Sequence, residues 1–193
     1  MTAIRARYWL GALVVLLLAA GAAWMLWPVP PSGPWRAQIV DAETGQSVEG
    51  VIVLAIWDRK SFGWPHPDRE HYDAEELVSD HDGRVVIAAR HLPRATPLHV
   101  VIGPIVTMFK SGYGVWRFRR AGGLRDAKEW ADLGGDAVFE LVRAKTLDER
   151  RRALLWIVPP YDVPPAKMPR TLAARDHEIA VLEGSPTQRG TKP

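Results

Sequence analysis

Cysteine is missing from all 193 residues, which excludes a disulfide scaffold, a thiolate zinc or iron–sulfur site, a thiol nucleophile and a lipidated cysteine. No internal repeat or low-complexity block is present, so solenoid and fibrous architectures are excluded. No Gly-x-Ser-x-Gly elbow offers a serine nucleophile. Asp80 and Asp82 resemble the start of a calcium loop, but its later ligands and closing bidentate glutamate are lacking. Charge of one sign is also scarce: 25 Lys+Arg face 22 Asp+Glu, for a formal net charge of +3.

What is present first is an apolar segment. Arg5 and Arg7 precede an uncharged run from Tyr8 to Trp27. About twenty helical residues span ~30 Å, the thickness of a hydrocarbon core. Trp9 stands at one end and Trp24 and Trp27 at the other, the depths that amphipathic rings favour. Pro28, Pro30 and Pro31 forbid further helix. A cleaved signal peptide is the competing reading, with weak small-residue sites at Ala20-Gly21-Ala22 and Ala22-Ala23. The apolar run continues past them through Trp24–Trp27, which favours an uncleaved anchor. The two arginines on the short side then hold residues 1–7 in the cytoplasm, place residues 8–27 in a bacterial inner membrane as a single pass, and export the rest to the periplasm. Setting those arginines aside leaves 23 basic against 22 acidic residues. That balance points away from nucleic acid.

Residues 28–34 form a stiff proline-rich spacer. From Trp35 the pattern becomes short β-type runs separated by turn residues, which predicts an all-β sandwich over 35–143. Trp35–Val40 is the first strand. Asp41–Gly45 is a turn, Asp41 accepting from amides ahead of it and Gly45 supplying a positive φ. The apolar run Gly50–Trp57 is expected to be a central strand covered on both faces. Residues 58–73 are read as a long polar loop, broken by Pro65 and Pro67. Glu76–Asp80 and Arg84–Ala88 are expected as a hairpin around Asp82-Gly83. Leu98–Val106 follows, with Gly103-Pro104 marking a bulge or an edge, and Thr107–Lys110 and Val115–Phe118 continue it around Ser111–Gly114. Ala137–Arg143 is the last strand. Thr146–Glu149 has the form of a capping box for a helix to about Ile157. A second helix runs from about Pro169 to Leu182, stopped by Gly184. These helices and the prolines between them make 144–184 an extension, and 185–193 reads as a disordered tail.

The series of turns resembles the bacterial carboxypeptidase regulatory-like domains. An Asp-x-x-Thr-Gly element is matched by Asp41, Thr44 and Gly45, and the small residue before the next strand by Gly50. A Ser/Thr-Asp-x-x-Gly hairpin is matched by Ser79, Asp80, Gly83, Arg84 and Val85, and a Gly-Tyr element by Gly112 and Tyr113. The resemblance covers about residues 35–143. It implies a transthyretin-like, or prealbumin-like, seven-stranded Greek-key sandwich. The metallocarboxypeptidase His-x-x-Glu pair is absent, since Arg69 stands three residues after His66, so the resemblance does not imply peptidase activity.

Candidate sites are sparse. His66, Asp68, His71 and Asp73 concentrate metal-ligating side chains in one stretch, but no helix brings them to one face. Glu75 and Glu76 are adjacent in a strand and point to opposite faces, which does not suit paired-carboxylate catalysis. Tryptophan is in excess, with nine residues. Trp57 and Trp156 read as core, whereas Trp64 in the polar stretch and Trp116 beside Arg117 read as an aromatic platform for a partner. The sequence therefore points to a non-enzymatic, membrane-anchored binding or assembly module that presents sandwich loops to an envelope protein or a glycan, with no cofactor. The alternative is a metal-binding or metal-dependent hydrolytic protein using the His66–Asp73 stretch.

Overall fold

A computed structural model describes residues 2–63, 68–118, 137–156 and 163–184. It divides into two compact units, Met1–Pro31 and Ser32–Pro193. The first contains α1 (Thr2–Leu26), a helix of 25 residues. Its side chains are described without a break from Gly11 to Trp24. Among the described residues no helix is long and apolar enough to cross a membrane.

Among the described residues the second unit is mostly β, with seven strands followed by helices. The strands are β1 (Trp35–Asp41), β2 (Ile52–Ser61), β3 (Arg69–Val78), β4 (Arg84–Ile87), β5 (His99–Phe109), β6 (Tyr113–Phe118) and β7 (Ala137–Arg143). Helix α2 (Leu147–Trp156), a 3₁₀ turn (Pro165–Lys167) and α3 (Pro169–Gly184) complete it. One sheet has the order β4-β1-β7-β6 and the other β3-β2-β5. Alternate residues of both enter one core: Trp35, Ala37 and Ile39 from β1, Val53, Ala55 and Trp57 from β2, Phe139 and Leu141 from β7. This is the period-two burial that a half-covered strand requires.

β2 is the middle strand of its sheet, as its unbroken apolar run predicts. Val53 to Trp57 are all buried. Its second face carries Leu54 and Ile56, which pack with Ala74, Val163 and Met168. The C-terminal segment thus closes the outer face of the three-stranded sheet. Burying Leu54 and Ile56 there contributes on the order of 3–6 kcal/mol.

Three expectations are corrected. Residues 58–73 are not one loop: β2 continues to Ser61 and β3 begins at Arg69, with Arg59 opposite Glu70. Cross-strand pairing satisfies the polar residues that suggested a loop, as in the Arg59–Glu70 ion pair at 3.2 Å. Asp80–Gly83 does reverse the chain, with the Asp80 amide donating to the Arg84 carbonyl at 3.0 Å. However, β3 and β4 do not form a ladder; β4 crosses to the other sheet and pairs with β1. Likewise the turn after β5 leads to β6 in the opposite sheet. The buried faces of the strands, rather than the turn, select the partner.

Gly103-Pro104 is both a bulge and part of an edge strand. β5 lies at the edge of its sheet, and its register against β2 passes from Ile105 opposite Ile56 to Ile102 opposite Asp58. The capping box also forms. The Thr146 hydroxyl accepts the Glu149 amide at 3.1 Å, and Glu149 accepts the amides of Thr146 at 3.2 Å and Lys145 at 2.6 Å. Helix α3 is capped from another element, since the Glu76 carboxylate on β3 accepts the Arg170 and Thr171 amides at 2.9 and 2.6 Å. The tail 185–193 and most of the Arg117–Arg125 segment lie outside the described residues.

Gly45 and Gly83 both have a φ of 70°. A Cβ on Gly45 would meet open space, whereas one on Gly83 would collide with the Ile39 carbonyl oxygen. Gly45→Ala is therefore expected to cost about 1 kcal/mol, from left-handed backbone alone. Gly83→Ala is expected to cost at least ~2 kcal/mol, because Ile39 must shift as well. Chemical denaturation of the two variants measures the difference, and equal losses would contradict the close packing of this turn.

Candidate functional site

The sandwich has two chemically distinct ends. At one, the turn residues converge on a buried carboxylate. Asp41, 2% exposed, ends β1, and its Oδ1 accepts the Glu43 and Thr44 amides at 2.9 and 3.0 Å. Its Oδ2 accepts the Tyr113 hydroxyl at 3.0 Å and Arg143 Nε at 2.6 Å. Burial alone would raise the Asp41 pKa. The Arg143 guanidinium, the two amides and the tyrosine hydroxyl outweigh burial and hold the carboxyl well below the usual range. Burial and the neighbouring carboxylate push the Tyr113 phenol up. Nearby, the buried Ser79 hydroxyl donates to the Val48 carbonyl at 2.8 Å and accepts the Val51 amide at 2.9 Å. Asp80 Oδ1 accepts the Asp82 and Arg84 amides at 3.0 and 2.7 Å.

At the other end the chain enters the sandwich. Ser32 and Arg90 exchange backbone hydrogen bonds of 2.9 and 3.0 Å. The Arg90 guanidinium lies 3.5 Å from the centroid of the Trp57 ring, and Trp57 in turn packs against Trp35, 6.1 Å between centroids. The two arms of Arg90 donate to Asp73 at 2.8 Å and to Glu75 at 2.7 Å. Asp73 also accepts Lys167 Nζ at 3.0 Å. Burial raises the Asp73 pKa, but Lys167, the Ala74 amide and the charge of Arg90 reverse that and lower it. One arginine thus joins the chain's point of arrival, the core tryptophan and β3, and Asp73 extends the network to the C-terminal segment. Beyond it, Phe62 follows the last residue of β2, and its amide donates to the Leu98 carbonyl at 2.9 Å.

The candidates read from the sequence scatter across this frame. Trp64 and His66 lie outside the described residues. Trp116 and Arg117 are on β6, in register with Leu141 and Glu140. Asp68 turns its carboxylate to the Arg69 amide at 2.8 Å. His71 stands opposite Asp58 across the β2–β3 ladder, while Asp73 belongs to the Arg90 network. The geometry therefore separates His71 from Asp73 and commits Asp73 to cations. Among the described residues no group of three or more His, Asp or Glu is placed to hold a metal ion. Glu75 and Glu76 part as expected, one to Arg90 and the other to the α3 N-terminus.

Two residues that organise the unit carried no sequence signal. Arg90 sits in a stretch without periodicity. Glu178, 2% exposed, accepts Arg150 Nε from α2 and the Ser111 hydroxyl from the β5–β6 turn, both at 2.6 Å. Burial raises its pKa, and Arg150 and Ser111 more than offset that, lowering it. An open groove of about 420 Å³ lies between α2 and α3, lined by Arg151, Leu154, Ile179, Leu182 and Glu183. No protein-family model, curated protein or solved structure matches the chain.

Asp41 binds its proton more weakly folded than unfolded, so its stabilisation is complete above the ordinary aspartate value of about 3.9 and is lost as pH falls below it. Asp41→Asn is expected to lose about 2 kcal/mol at neutral pH, the worth of hydrogen bonds to a charged acceptor. Below about pH 4 the gap to the wild type should begin to narrow. Urea titrations from pH 7 down to pH 3 check this; a gap that stays constant would show that the Asp41 charge is not what stabilises the turn.

Proposed function

We propose that the chain is a membrane-anchored, non-enzymatic binding or assembly module of the bacterial periplasm, in which a transthyretin-like sandwich of the carboxypeptidase regulatory-like kind is held at the inner membrane by residues 8–27. The observation that carries the anchor is the surface of α1. Leu13, Val14, Val15, Leu16, Leu17 and Leu18 occupy successive positions around the helix, and each is more than half exposed. A helix that is apolar all round requires burial on every side, which a bilayer supplies. Arg5 and Arg7 orient it with the N-terminus in the cytoplasm.

For the soluble part, the reading rests on where the polar chemistry goes. Asp41, Asp73, Glu76 and Glu178 each accept bonds that tie separate elements together. These groups serve the framework, and the surface left for a partner is that of loops and strand edges. Trp64 and Trp116 with Arg117 remain the proposed contacts for a protein or glycan, as large rigid faces that stack on sugar rings or fill a pocket.

The full chain with a C-terminal tag is expected to stay in the membrane pellet through alkaline carbonate extraction. In spheroplasts, external protease should remove the tag and the sandwich. A tag that is protected in intact spheroplasts, or mature protein beginning near Ala23 or Trp24, would overturn this topology.

A further inference from the structure

The end at which the chain enters the sandwich also carries its exposed apolar tip. β2 runs from the Ser79–Gly83 end towards Trp57, Ser61 and Phe62, and Ser61 pairs with His99 at the start of β5. Trp35, Trp57 and Arg90 stack at the same end, and Arg90 is bridged to Ser32. Phe62 is 53% exposed and Leu98 75% exposed, joined backbone to backbone. Lys60 Nζ lies 5.8 Å from the Phe62 ring centroid, and among the described residues no acid pairs with it. The spacer Pro28–Pro31 that delivers Ser32 reaches less than about 20 Å at full extension.

We infer that this tip, Phe62 and Leu98 with Lys60, is a second membrane contact that seats in the interfacial layer of the bilayer. The inference rests on the anchor reading of α1. Exposed aromatic and aliphatic side chains on two backbone-paired residues suit the headgroup–acyl boundary, and an ammonium that pairs with no acid among the described residues suits anionic headgroups. A tether this short confines the chain-entering end to the neighbourhood of that layer.

The absence of native cysteine allows single labels. Gly63→Cys leaves both apolar residues intact, since a Cβ there meets open space. Val78→Cys, at the far end of β3, serves as reference. The full chain, labelled with an environment-sensitive fluorophore, is reconstituted in phosphatidylglycerol-containing vesicles that carry nitroxide-headgroup lipid. The label at 63 is expected to emit at shorter wavelength and to be quenched several-fold more than the label at 78. Adding Phe62→Asp and Leu98→Asp should bring it to the value at 78. Equal quenching at 63 and 78, with the chain retained through carbonate washing, would overturn the contact alone. A chain that washes off the vesicles would overturn the anchor and the contact together.

Discussion

The constraint from which most of the second unit follows is that β2 is apolar on both of its faces. A two-sheet sandwich covers only one face of each sheet, so Leu54 and Ile56 would otherwise stand in water. Their combined burial is comparable with the net stability of a whole domain. The cover is built from Val163, Met168 and Leu172, which makes the C-terminal segment part of the folding unit. Three polar ties fix it there: Glu76 at the start of α3, Lys167 on Asp73, and Arg150 on Glu178. Each places an ionised group where a partner offsets its desolvation.

The two ends of the sandwich divide the work. At the Asp41 end, a carboxylate takes the place of a helix cap, collecting amide, hydroxyl and guanidinium donors from four separate positions. The result is a rigid turn cluster with little freedom to rearrange. At the Arg90 end, the bonds run between segments that arrive from different parts of the chain. A stacked guanidinium with two carboxylate partners is well suited to that, because its planar fork holds direction as well as charge.

Local signals were legible where they close within a few residues. Asp41 with Gly45, Thr146 with Glu149, and the Gly103-Pro104 bulge depend on neighbours, and the structure realises each. Pairing between strands was not legible from turns alone. Asp80–Gly83 makes the chain reversal that its residues encode, yet Val85 and Ile87 find their burial against β1, so β4 leaves β3. Arg90 and Glu178 were invisible because a charged side chain looks solvated until its partners, brought from distant segments, are known. The 58–73 stretch misled for the same reason: Arg59, Glu70 and Asp73 are polar, but ion pairs let them sit in strands. Of the proposed platform, Trp116 and Arg117 stand on β6 opposite Leu141 and Glu140 of β7.

The ladder between β1 and β7 is parallel, joining Ala37 to Ala137 and Asp41 to Leu141. Strands a hundred residues apart thus lie side by side in the middle of the larger sheet. During synthesis β1 has only the short β4 beside it until β7 has left the ribosome. For that interval one row of its backbone donors and acceptors stays open, an invitation to wrong pairing with other chains. Closing the sheet is a late, non-local event, and the loop entropy it must overcome makes folding slow relative to helical proteins of this size. A chain built this way gains from being kept away from its copies until its last strand arrives.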